Sequence, residues 1–109
     1  MSTLDTQNPT CVKSVQLLAD YWMLRIIASM EDSSKRYSEI QRQATGINPA
    51  TLTNRLRKLE QANLVRRTEE SRTDVTYSLT PLGKDAIPLL AALNTFAQKA
   101  ERANKTIAD

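Results

Sequence analysis

Asn54, Arg57 and Gln61 stand three and four residues apart, a spacing that sets a carboxamide, a guanidinium and a second carboxamide along one face of a helix. Ala50 begins the same face one turn earlier, and Thr51, Thr53 and Lys58 stand on its shoulders. In the major groove of a duplex, a guanidinium can hold guanine and a side-chain amide can hold adenine, each through paired hydrogen bonds. Threonine and lysine suit phosphate oxygens or thymine methyl groups. Arg66, Arg67 and Arg72 follow and add cations suited to a phosphate backbone. A plain amphipathic helix with its polar side in water carries the same spacing, so the neighbouring residues have to decide between the two readings.

Charge favours the first. From Lys35 to Arg72 there are nine cations (Lys35, Arg36, Arg42, Arg55, Arg57, Lys58, Arg66, Arg67, Arg72) and four acids (Glu39, Glu60, Glu69, Glu70), within a chain of net charge +3. The flanks are therefore net acidic, and a basic middle between such flanks suggests one surface that meets a polyanion. A solvated charged face is the alternative.

The same residue counts argue against other chemistry. With no histidine and a single cysteine, Cys11, the chain offers almost nothing to zinc and no internal disulfide. There is no histidine base, and two glycines do not make a phosphate-cradling loop. The acid pairs Glu31-Asp32 and Glu69-Glu70 fall in polar stretches without apolar walls to raise a pKa. No enzyme, metal or cofactor is expected. The 40% apolar and 25% charged residues are ordinary for a globular domain. No run approaches the roughly 20 apolar residues of a membrane span, and the opening MSTLDTQNPT is unlike a signal peptide, so the cytoplasm is the expected location.

The elements that must position these residues can be followed along the chain. Residues 1–10 read as a flexible tail, and residues 11–109 as a single domain. Val12, Val15, Leu18 and Trp22, then Ile26, Ile27 and Met30, form a helical apolar stripe. Asp20 interrupts it as the cap of a second helix from Tyr21 to about Met30. Residues 31–35 are a polar link, and Ser38 is the expected cap of a short helix that ends at Gly46. Ile47 plugs a tight turn, Asn48 caps the next helix and Pro49 occupies its first position. Leu52, Leu56 and Leu59 give that helix one inward stripe. Asn63, which tolerates a left-handed backbone, ends it. Residues 64–68 and 75–80 are the strands of a hairpin, and its charged tip, 69–74, lacks glycine and predicts a flexible loop. Thr80 and Pro81 open a last helix through Leu89, Leu90, Leu93, Phe96, Ala97 and Ala100, with Pro88 set to bend or divide it. The fold class is mainly α with a small β-hairpin: a winged helix-turn-helix with terminal dimerisation helices.

The run RYSEIQRQATGINPATLTNRLRKLEQANLVRR, followed by VTYSLTPLGKDAIPLL and preceded by Cys11 and Trp22, resembles the HxlR-type winged-helix regulators over Cys11 to Phe96. The resemblance implies a sequence-specific regulator of transcription that binds double-stranded DNA as a homodimer through its first and last helices. By that resemblance Val15, Leu18, Leu89, Leu93 and Phe96 are interface candidates, with monomer core as the alternative. Trp22 joins them because three short helices and a wing cannot cover so much apolar surface, and a two-fold dimer predicts an inverted-repeat operator. Some regulators that resemble this chain sense electrophiles, quinones or oxidants through a cysteine near the first helix. That position makes Cys11 either a redox sensor or an incidental thiol, and any disulfide through it joins two molecules. The chain departs from the family pattern at Asp20-Tyr21, where glycine-lysine is common. It departs again at Arg72, Thr73 and Asp74, where a proline is common, and at Asn63, where glycine is usual. A winged-helix module that binds protein without reading DNA is the rival function.

Overall fold

Two asparagine-proline pairs and one threonine-proline pair start three of the helices. Each cap side chain accepts backbone N–H groups of the first turn that no carbonyl can reach, and the proline stands where its missing N–H costs nothing. Asn8 Oδ1 accepts from Thr10 N–H at 2.9 Å, Asn48 Oδ1 from Ala50 N–H at 2.7 Å, and Thr80 Oγ1 from Gly83 N–H at 3.0 Å. The computed structural model describes residues 3–104. Residues 1–2 of the expected tail and 105–109 of the expected domain lie outside the described residues.

The order is α1 (Pro9–Leu18), α2 (Tyr21–Ser29), α3 (Tyr37–Gln43), α4 (Pro49–Gln61), β1 (Val65–Ser71), β2 (Asp74–Leu79), α5 (Pro81–Lys84) and α6 (Ile87–Asn104). Helix α1 therefore begins inside the stretch read as tail, because Asn8-Pro9 is itself a start signal. The bend at Asp20 is as expected: its carboxylate caps α2 by accepting Met23 N–H at 3.0 Å. Ser38 is not a cap. Helix α3 starts one residue beyond Arg36, whose backbone N–H donates to Glu39 Oε1 at 3.0 Å.

One apolar core holds the middle of the chain together. Ile26 and Ile27 of α2, Ile40 of α3, and Leu52 and Leu59 of α4 are fully buried, with Met23, Leu56, Ile47, Val65 and Leu79 around them. Gly46 at φ +89° and Asn63 at φ 64° make the two left-handed turns that bracket α4.

The hairpin is tighter than its sequence suggested. Strands β1 and β2 pair antiparallel from Val65 opposite Leu79 to Ser71 opposite Asp74, leaving only Arg72 and Thr73 at the tip. The register slips between Glu69 and Ser71, a bulge that adds twist and lets the chain reverse without glycine. The polar link also contributes to the sheet. Lys35 N–H donates to Tyr77 O at 2.8 Å, and Tyr77 N–H returns the bond at 2.7 Å, so the hairpin is tied to the start of α3.

The last helical segment is two pieces, α5 and α6, and Pro88 lies second in α6, where a first-turn proline is tolerated. Gly83 explains the close seating of α5: a Cβ there would lie 2.1 Å from Leu64 O. Neither α1 nor α6 has a fully buried residue: Leu17 and Leu18 of α1 and Ile87 and Leu90 of α6 pack partly against the core, while Val15, Leu89, Leu93 and Phe96 stay exposed.

Candidate nucleic-acid interface

The burial of Leu52, Leu56 and Leu59 fixes the rotation of α4, and with it the opposite face. Ala50, Thr53, Asn54, Arg57, Lys58 and Gln61 are exposed there, and Thr51 is half-buried. Tyr37 OH of α3 donates to Pro49 O at 2.9 Å, which leaves its oxygen to accept from Thr53 Oγ1 at 3.1 Å. This bond fastens the first turn of α4 to the start of α3, so the N-terminal ends of the two helices are joined.

Arg55 lies on the flank and points elsewhere. Its guanidinium pairs with Asp20 Oδ2 at 3.2 Å and donates to Asn54 Oδ1 at 2.8 Å. Burial alone would raise the pKa of Asp20. The hydrogen bonds from Met23 N–H and Arg55, with the Arg55 charge, outweigh it and hold the carboxyl below its usual value.

The wing presents its cations in different ways. Arg67 lies across from Tyr77, and these two residues line a polar hollow of about 240 Å³ with Tyr37, Thr53, Arg57 and Glu60 of α3 and α4. Arg66, across from Ser78, points to the opposite face of the hairpin. The Tyr77 hydroxyl, and then Glu69 at 3.2 Å, make the Arg67 guanidinium hold its proton more tightly than usual. Arg72 is exposed at the tip. Asp74, the acid beside these cations, is matched: Arg36 pairs with its Oδ1 at 3.0 Å and donates to Thr73 O at 3.2 Å. A guanidinium from the start of α3 therefore braces a wing that lacks the usual proline. Arg36 and Arg55 entered the sequence reading only as charges, and their pairing with Asp74 and Asp20, like the Tyr37 contacts with Pro49 and Thr53, escaped it because these partners lie 12 to 38 residues away.

Of the interface candidates, Val15, Leu89, Leu93 and Phe96 are exposed, whereas Leu18 and Trp22 pack partly against the core. Cys11 is half-buried in the first turn of α1, on the wall of an apolar groove of about 360 Å³ that also takes in Val15, Leu18, Leu24, Leu89 and Leu93. Among the described residues no group of three or more His, Cys, Asp or Glu could hold a metal, and no helix is long and apolar enough to cross a membrane.

Residues 17–105 match the family described as HxlR-like helix-turn-helix. The Bacillus subtilis HTH-type transcriptional regulator YvaP is 31% identical over 91 residues, covering 82% of this chain and 84% of YvaP. Among solved structures, quinone-bound YodB from B. subtilis superposes with a TM-score of 0.75 at 28% identity, over 84% of this chain and 99% of YodB. A Porphyromonas gingivalis W83 protein described as a MarR-family transcriptional regulator gives 0.78 at 30% identity, over 90% of this chain and 97% of that one. The expected winged helix-turn-helix and its regulatory, non-enzymatic role agree with these relatives. With a basic-faced helix set outward by its leucine stripe, beside a braced hairpin, the chain belongs to the HxlR-like helix-turn-helix family of DNA-binding transcriptional regulators.

Proposed function

We propose that this regulator works as a homodimer on an inverted repeat of double-stranded DNA, in the cytoplasm where the chromosome lies. The observation that carries the reading is that α1 and α6 have no fully buried residue in the monomer while Val15, Leu89, Leu93 and Phe96 are 41 to 59% exposed. Leu18 and Trp22, half-covered by their own core, extend the same surface. Pairing two copies about a two-fold axis covers these faces and sets two α4 helices in successive major grooves, about 34 to 36 Å apart. In each half-site Asn54 and Arg57 read bases, and Ala50 and Thr51 make close approach to the groove. Thr53, Lys58, Arg66, Arg67 and Arg72 hold phosphates. Selection of bound sequences from random duplex DNA tests the proposal. Inverted half-sites one helical turn apart are expected, and enrichment of a single unrepeated half-site overturns the dimer.

A sensing role for Cys11 is the second part of the proposal. It is supported by the thiol's place in the groove between α1 and α6, and by the crystal structure of YodB with quinone bound. Modification there disturbs the packing of the two copies, and through it the spacing of the recognition helices. Quinone or diamide is expected to change operator affinity in the native chain and to leave Cys11→Ser unaffected. An equal response in both rejects the thiol as the sensor.

A further inference from the structure

We propose that Arg55 is a specificity-positioning residue, the middle of an acid–guanidinium–amide relay, Asp20–Arg55–Asn54, that fixes which way the Asn54 amide faces the DNA. The inference rests on the reading of Asn54 as a base contact and deepens it. An exposed asparagine has three staggered χ1 wells, and its amide can turn over to exchange oxygen and nitrogen. Adenine is held only when the amide oxygen meets its N6 donor and the amide nitrogen meets N7, so the reversed amide loses both bonds. The free side chain therefore samples about six arrangements of which one reads the base.

Here the amide is not free. Arg55 donates to Asn54 Oδ1 at 2.8 Å, and a guanidinium, which has donors only, can be received by the oxygen end alone. The oxygen is thereby set on the Arg55 flank and the amide N–H groups on the other. Arg55 is itself held by its second terminal nitrogen on Asp20 Oδ2 at 3.2 Å, with both side chains more than two-thirds covered. Asp20 is in turn fixed, because its other oxygen accepts Met23 N–H at 3.0 Å as the cap of α2. Each link orients the next, from the α1–α2 bend to the exposed face of the recognition helix. Asp20-Tyr21 stands where glycine-lysine is common in the regulators this chain resembles, and glycine has no side chain to hold Arg55.

The fork of the guanidinium is essential, since one nitrogen holds the acid and another the amide. Lysine keeps the charge opposite Asp20 and loses the hold on Asn54. The test measures binding of the native chain, Arg55→Lys, Asp20→Asn and Asn54→Ala to a set of duplexes carrying every single base-pair change in the selected half-site. Asn54→Ala is expected to abolish preference at one base pair. Arg55→Lys should weaken preference at that same pair by about three- to sixfold, the number of side-chain arrangements released, with preference elsewhere unchanged. Asp20→Asn, which keeps the cap because asparagine caps as well as aspartate, should weaken it in the same place. If Asn54→Ala erases a preference that both other variants keep in full, the relay is overturned and the base contact stands. If Asn54→Ala changes no preference, the base contact fails and the relay with it. If Arg55→Lys weakens every duplex alike, Arg55 is a phosphate contact and the relay is overturned.

Discussion

Replacing Phe96 by alanine separates an interface residue from a core residue, because the two roles send its free energy to different measurements. Full burial of a phenylalanine side chain contributes about 1.5 to 3 kcal/mol. In the monomer 59% of Phe96 is exposed, so a partner that covers the remainder gains about 1 to 2 kcal/mol from it. A two-fold interface contains the residue twice, which gives about 2 to 4 kcal/mol per dimer and raises the dimer dissociation constant about 30- to 700-fold. The monomer loses little, since α6 buries none of its residues and alanine is the better helix former. Sedimentation equilibrium over a range of concentrations reads the dissociation constant, and thermal unfolding reads the fold. Affinity for the full inverted repeat should fall while affinity for an isolated half-site holds. A dimer constant that moves less than about threefold, with a lowered melting temperature, would return Phe96 to the core and refute the reasoning.

Arg57→Ala should cost about 1 to 3 kcal/mol and relax preference at one base pair, whereas Arg67→Ala should weaken all duplexes alike. Competition binding decides, and equal uniform losses from both would reverse the assignment. Gly83→Ala should destabilise the fold by about 3 kcal/mol, because a Cβ 2.1 Å from Leu64 O forces backbone to move; an unchanged urea midpoint would contradict the seating of α5. Arg36→Ala removes a half-exposed ion pair and should change stability by less than about 1 kcal/mol. It should nonetheless weaken the backbone footprint of the wing, and an intact footprint argues that the brace is dispensable. The depressed pKa of Asp20 makes its contribution complete above the ordinary aspartate value of 3.8, with loss as pH falls through the lower folded value. Asp20→Asn should therefore flatten the stability curve below about pH 4, and an unaltered acid limb would deny the pair any role.

Elements set by their own residues were legible, and elements set by distant partners were not. Leu52, Leu56 and Leu59 repeat at helical spacing, and Asn48-Pro49 and Asn63 mark the ends of α4, so its exposed face followed from the sequence. The wing tip did not follow. Glu69 to Asp74 lacks glycine and looks like loose loop, yet the strands continue because a bulge takes up one residue and Arg36, far along the chain, holds Thr73 and Asp74. Lys35 looked like linker for the same reason, since its pairing with Tyr77 is a long-range backbone event that leaves no local pattern. The break before α6 was legible only as a choice between bend and division. Gly83 resolves it, because α5 must lie directly under Leu64 O and the chain turns again before Pro88.

The charge of the middle segment is the instructive case for the site itself. Four of its nine cations are matched within the fold: Lys35 by Asp32, Arg36 by Asp74, Arg55 by Asp20 and Arg67 by Glu69. Three of those acids lie outside the segment, so counting along the chain overstated the positive surface that folding leaves. Arg42, Arg57, Lys58, Arg66 and Arg72 have no ion-pair partner among the described residues. If Lys58, Arg66, Arg67 and Arg72, the cations proposed to hold phosphates, each neutralise one, the slope of log affinity against log salt is about −3.6 for one copy and about −7.2 for two. A single copy with so few phosphate contacts is expected to hold DNA weakly at physiological salt, and the proposed two-fold pairing would double those contacts. The matched cations serve the other requirement: Arg36 holds the wing tip through Thr73 and Asp74, and Arg55 holds the Asn54 amide that we propose reads a base, so in that proposal the few direct contacts gain their orientation from cations that touch no DNA.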